Sequence, residues 1–180
     1  MSDYDGAMRI SFACVALFAS LVACERADPD RIRPCGYDDE EPNDSPGQAY
    51  ELGSFADEPN SLRERTATIH TANDVDWYRA TIYRRGLGTE PLITFVASEG
   101  VTVTAYHSCV GTGTPADCVW GRPVTDENGM GCESIAGPDV HDAVIRAATH
   151  CNGEQSNLLV KVSAHTEGVC RKYDYRLEVE

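Results

Sequence analysis

Two short stretches carry the residue types most able to do chemistry. Asp38-Asp39-Glu40-Glu41-Pro42-Asn43-Asp44 and Asn73-Asp74-Val75-Asp76 are dense in carboxylates and amides. These are hard oxygen donors, of which calcium takes roughly six to eight in flexible arrangements. The stretches stand about one strand apart and could meet in space to hold a cation. The same residues are also turn formers, because Asn and Asp side chains bond their own backbone, and the sequence leaves both readings open. The five histidines, His70, His107, His141, His150 and His165, show no His-Glu-X-X-His spacing. Ser108 beside His107 is a neighbouring pair, not a triad. No nucleophile elbow, phosphate loop or dinucleotide fingerprint occurs, so the chain reads as non-enzymatic.

The second acidic stretch runs straight into Trp77-Tyr78. From there Tyr78, Ala80 and Ile82 fall on one face and Arg79 and Thr81 on the other, the period of a half-buried strand. Further strand signals lie at 65–70, 92–97, 101–106, 158–164 and 173–179. Residues 143–149 also favour a strand, although Val140, Ala143, Val144 and Ala147 fit a helical stripe with Asp139 as cap. Seven or eight short strands predict an all-β chain, an antiparallel β-sandwich of jelly-roll type. The stretch from Cys109 to Pro138, rich in Gly, Thr, Pro and Asp, reads as a long excursion from the core that carries recognition. One of Trp77 and Tyr78 must face away from the core. Trp77 is the candidate for exposure and, with Trp120, a candidate ligand contact.

Met8-Arg9 precedes an apolar run from Ile10 to Val22, which predicts a secretory signal over 1–23 with Met8 as an alternative start. Leu21-Val22-Ala23-Cys24 resembles a bacterial lipobox, which would put lipid on Cys24 and anchor the chain to a membrane. Glu25 after the cysteine favours the outer membrane or cell surface, with a periplasm-facing orientation also open. Residues 24–40 read as a flexible tether and 41–180 as one domain. The net charge of −14 repels phosphate backbones and excludes nucleic acid as a partner. Six cysteines remain outside the signal and lipobox: Cys35, Cys109, Cys118, Cys132, Cys151 and Cys170. In an exported chain they predict three disulfides. Of the connectivities open to them, Cys109–Cys118, Cys132–Cys151 and Cys35–Cys170 are favoured.

Glu41-Pro42-Asn43-Asp44-Ser45 with Ala49, then Asp74-Val75-Asp76-Trp77-Tyr78, then Leu158-Leu159-Val160-Lys161-Val162 and Tyr175-Arg176-Leu177-Glu178-Val179 together resemble the bacterial pre-peptidase C-terminal (PPC) domain. That resemblance implies a jelly-roll β-sandwich, related to the collagen-binding domains of clostridial collagenases, some of which bind calcium. Carried over by position, it implicates Asp39, Glu41, Asn43 and Asp44, and Asp76 with Asn73 or Asp74, as calcium ligands. The chain is therefore expected to be an envelope lipoprotein whose sandwich binds a protein or polysaccharide. A structural spacer or chaperone-like domain is the alternative, and a small hydrolase a third reading.

Overall fold

The computed structural model describes residues 38–56, 61–71, 73–84, 91–98, 100–135, 142–164 and 170–180. The expected signal, Cys24, Cys35, His141, His165 and most of the expected tether lie outside them. Eleven strands make two sheets. The first contains, in spatial order, β1 (Tyr50–Ala56), β3 (Val75–Tyr83), β10 (Gln155–Ala164), β5 (Val101–Cys109), β8 (Gly129–Ile135) and β7 (Arg122–Asp126). The second contains β2 (Ser61–Ile69), β11 (Arg171–Val179), β4 (Leu92–Ser98), β9 (Asp142–Cys151) and β6 (Gly113–Trp120). Neighbours are antiparallel except β1 and β3. The fold is an all-β sandwich.

Period-two alternation builds its core. Tyr78, Ala80 and Ile82 of β3, Leu158, Val160 and Val162 of β10, and Val101, Val103 and Ala105 of β5 join one buried cluster with Ile93, Phe95 and Ala97 of β4 and Tyr173, Tyr175, Leu177 and Val179 of β11. Each large side chain in it contributes about 1.5–3 kcal/mol of transfer free energy. At the end nearest the acidic segments the core is aromatic. Tyr175 lies 4.6 Å from Tyr78 and 5.5 Å from Phe95, ring centre to ring centre. In β9, Ala143, Ile145 and Ala147 are buried while Val144 and Arg146 are only partly so, so the strand pattern overrides the helical stripe there.

The region from Cys109 to Pro138 corrects the expected excursion, since it supplies β6, β7 and β8. Its alternation is hidden because β6 changes register between Thr114 and Asp117 and again between Cys118 and Trp120. The disulfide pairing is also corrected: the bridges are Cys109–Cys151 and Cys118–Cys132, and each ties one sheet to the other. The register Gly113↔Cys151 brings Cys151 beside the turn that follows Cys109. Cys118 lies about 16 Å farther along β6 at ~3.3 Å per residue, where it meets Cys132 of β8. Cys170 is disulfide-bonded as well, to a partner outside the described residues. Finally, Asp38, Asp39 and Glu40, expected to end the tether, belong to the sandwich, and Glu40 is only 7% exposed.

Candidate functional site

The two acidic segments meet at the aromatic end of the core. Asp38 fastens the first segment to β2, its Oδ2 accepting from Thr68 N at 2.7 Å while Oδ1 accepts from Glu40 N at 3.0 Å. Asn43 is wholly buried, and its carbonyl accepts from Trp77 N at 2.9 Å, which fastens the segment to the start of β3. Asp74 closes the β2–β3 turn by accepting from His70 N. These bonds satisfy backbone groups that a turn would otherwise leave unpaired.

Around them the carboxylates crowd. Oxygens of Glu41, Asp44 and Asp74 lie within 4.8 Å of one another, and so do ligand atoms of Asp38, Glu41 and His70. Glu41 Oε1 is 3.1 Å from His70 Nε2, and Glu41 Oε2 accepts from Asn43 N at 3.1 Å. The Asn43 amide is assigned the orientation that points its nitrogen at acceptors; it then donates to Asp76 Oδ1 (3.2 Å) and Glu41 Oε2 (3.0 Å). Asp76 and Glu40 reach inward from this cluster. Tyr173 OH donates to Asp76 Oδ2 at 2.6 Å and pairs with Tyr78 OH at 2.5 Å, while Tyr175 OH donates to Glu40 Oε1 at 3.0 Å.

Burial sets the electrostatics. Removal from water pushes the Asp76 carboxyl up to about 8 against the pull of the Tyr173 hydroxyl, with Asp74, Asp38 and Glu41 adding repulsion. Glu40, Glu41 and Asp74 are raised for the same leading reason, and Asp74 and Asp44 add repulsion on Glu41. Burial also lifts Tyr78, Tyr173 and Tyr175 above the ordinary phenol range, so all three remain hydroxyl donors. Left to itself, the cluster binds protons more readily than exposed carboxylates do. A divalent cation bound to these oxygens would take the place of those protons.

The donor set suits calcium in kind. Glu41, Asp44 and Asp74 offer carboxylate oxygens at one place, and oxygen is what that ion takes. Among the residues implicated by sequence, Glu41, Asn43, Asp44, Asp74 and Asp76 gather here. Asp39 and Asn73 are exposed, and Asp39 belongs to neither carboxylate group. Asp38 and Glu40 lie in the acidic stretch but outside the ligand set implied by resemblance, and His70 and the three tyrosines lie outside that set too. The inward parity of Tyr173 and Tyr175 beside buried acid segments was the signal that could have found the tyrosines.

The two tryptophans separate. Trp77 does face away from Tyr78, yet it is only 5% exposed, a correction to its candidacy for ligand contact. It stacks on Tyr106 at 6.1 Å, with the Lys161 ammonium 5.8 Å from its ring centre. Trp120, on β6, is 58% exposed. Ser108 is exposed while His107 is buried, with neither ring nitrogen hydrogen-bonded among the described residues. The neighbours therefore face opposite ways.

No family model and no curated protein matches this chain. Among solved structures, a mutant of PliG-Ec, a periplasmic inhibitor of g-type lysozyme from Escherichia coli, is similar over 71% of this chain and 98% of its own at 14% identity and a TM-score of 0.31.

Proposed function

We propose that this chain is an exported, non-enzymatic envelope lipoprotein, carried on Cys24, whose PPC-like sandwich is braced by calcium and acts as a binding or accessory module for a protein or polysaccharide. The observation that carries the reading is the meeting of Glu41, Asp44 and Asp74 from two separate segments. The disulfides support export, since such bonds persist in oxidising compartments. Glu41, Asp44 and Asp74 would hold the ion with Asn43 and Asp76 behind them, and its positive charge would offset the repulsion of the cluster. The buried carboxylates are engaged with tyrosines inside the sandwich, an arrangement that suits bracing rather than catalysis.

The test is calorimetry of the lipid-free domain in calcium, magnesium or chelator. Extracellular modules bind calcium at about 10⁻⁴ to 10⁻³ M, so at about one hundred times the dissociation constant the gain should be roughly 2.7 kcal/mol. Magnesium, which demands a tighter octahedron, should give much less. Identical melting curves in all three would leave the acidic residues as turn formers and favour the spacer reading.

A further inference from the structure

The two ligand groups at the aromatic end of the sandwich differ in kind. Glu41, Asp44 and Asp74 offer oxygen alone, whereas Asp38, Glu41 and His70 add an imidazole nitrogen. Calcium and magnesium are hard ions that take oxygen, so a nitrogen donor is out of place in a site for either. Imidazole with carboxylates is a donor set of zinc, whose bonds to histidine nitrogen and to carboxylate oxygen both fall at about 2.0–2.2 Å.

The three side chains come from two segments, and each is held by bonds of its own. Asp38 is fixed beside the end of β2, where Oδ2 accepts from Thr68 N at 2.7 Å and Oδ1 from Glu40 N at 3.0 Å. Glu41 is turned by the Asn43 N–H on its Oε2 at 3.1 Å, which leaves Oε1 facing His70 Nε2 at 3.1 Å. His70 is only 8% exposed, and its backbone N–H is tied to Asp74. Bonds of this kind orient metal ligands and raise affinity. The Glu41–His70 separation is close to the roughly 3.4 Å between two ligands of a tetrahedral zinc ion, and Asp38 lies within 4.8 Å of both. An ion pair between Glu41 and His70 accounts for two of the three groups but leaves Asp38 beside them unexplained. A proton on the imidazole would set one positive charge against two carboxylates, whereas a divalent ion supplies two and leaves the ring neutral.

We infer that Asp38, Glu41 and His70 form a zinc site, distinct from the oxygen-only group and sharing Glu41 with it. The ion clamps the first acidic segment to the end of β2. Three protein ligands leave the fourth tetrahedral position to water or to a donor from a partner. The site does not depend on calcium binding, and either can fail without the other.

The experiment takes the untagged full-length protein in mild detergent, strips it with chelator and titrates it calorimetrically with zinc. One zinc per chain is expected. His70→Gln should weaken binding at least about a hundredfold, since losing even a bond to a ligand costs about 10–100-fold, and Asp44→Asn should change it far less. The calcium-dependent melting shift should persist in His70→Gln, which keeps the two sites' fates apart. A second measurement reads the donors with His70 in place: X-ray absorption at the zinc edge of a variant whose other four histidines are replaced (His107→Leu, His141→Gln, His150→Gln and His165→Gln). One imidazole on the metal supports the site, and this spectrum decides the matter if His70→Gln lowers the metal-free melting midpoint. No zinc bound, wild-type affinity in His70→Gln, or a spectrum of oxygen donors alone overturns the inference.

Discussion

Asp76 and His107 are buried groups whose shifts make opposite demands on pH. The folded state raises Asp76 to about 8 from an ordinary value near 3.8, so between those values it binds more protons than the unfolded chain. The stability this gives is full at low pH and is lost as pH rises through 8. His107 is lowered by burial to about 4, so the folded state binds fewer protons than the unfolded chain below about 6.5. Its contribution is present above 6.5 and lost as pH falls through 4. Asp76→Asn should therefore flatten the decline in melting midpoint from pH 4 to 8 without calcium and reduce the calcium-dependent shift, as read by calorimetry across pH. His107→Leu removes two unpartnered ring nitrogens and should be neutral or stabilising, with a shallower loss of stability between pH 6.5 and 4. If both variants follow the wild-type pH profile, neither group titrates as its burial demands.

At the scale of elements, the two disulfides should differ in worth. The Cys109–Cys151 bridge spans 42 residues and Cys118–Cys132 spans 14; loop entropy gives about 4 and about 3 kcal/mol, respectively. Denaturant unfolding of the two Cys→Ser double variants should rank them in that order, and a reversed order would mean that β6 and β8 have little hold on each other without their bridge. Alternation made the strands legible where it was unbroken, as in Tyr173, Tyr175, Leu177 and Val179. It failed where the backbone changes step. In β1 the register shifts between Glu51 and Gly53, and Leu52 and Phe55 are both buried although three residues apart, so period two never shows. The hairpin of β7 and β8 carried a readable sign in Asn128-Gly129, with Asn128 N bonded to Asp126 Oδ1. The acidic segments announced themselves by composition, whereas the tyrosines that engage Asp76 and Glu40 lie 97 and 135 residues away in sequence, a juxtaposition that the register of β11 creates.

For the whole molecule, the proposed lipid attachment at Cys24 precedes the sandwich in sequence. Cys24→Ala should abolish labelling by fatty acid and move the protein out of the membrane fraction; a variant that stays membrane-bound, with an unlabelled wild type, would refute the lipid anchor. The sheet order also governs how such a chain matures. β11, the last strand in the chain, lies between β2 and β4, pairing Val179 with Ser61 on one side and with Ile93 on the other. A polypeptide threading a translocation pore from its N-terminus delivers β2 and β4 long before the strand they share, and loop-closure entropy must be met before that pairing returns anything. The second sheet therefore closes only once residues 171–179 have joined it, whereas every strand of the first sheet precedes them in the chain. Until then β2 and β4 lack the strand they share, and their unpaired edges are open to proteases.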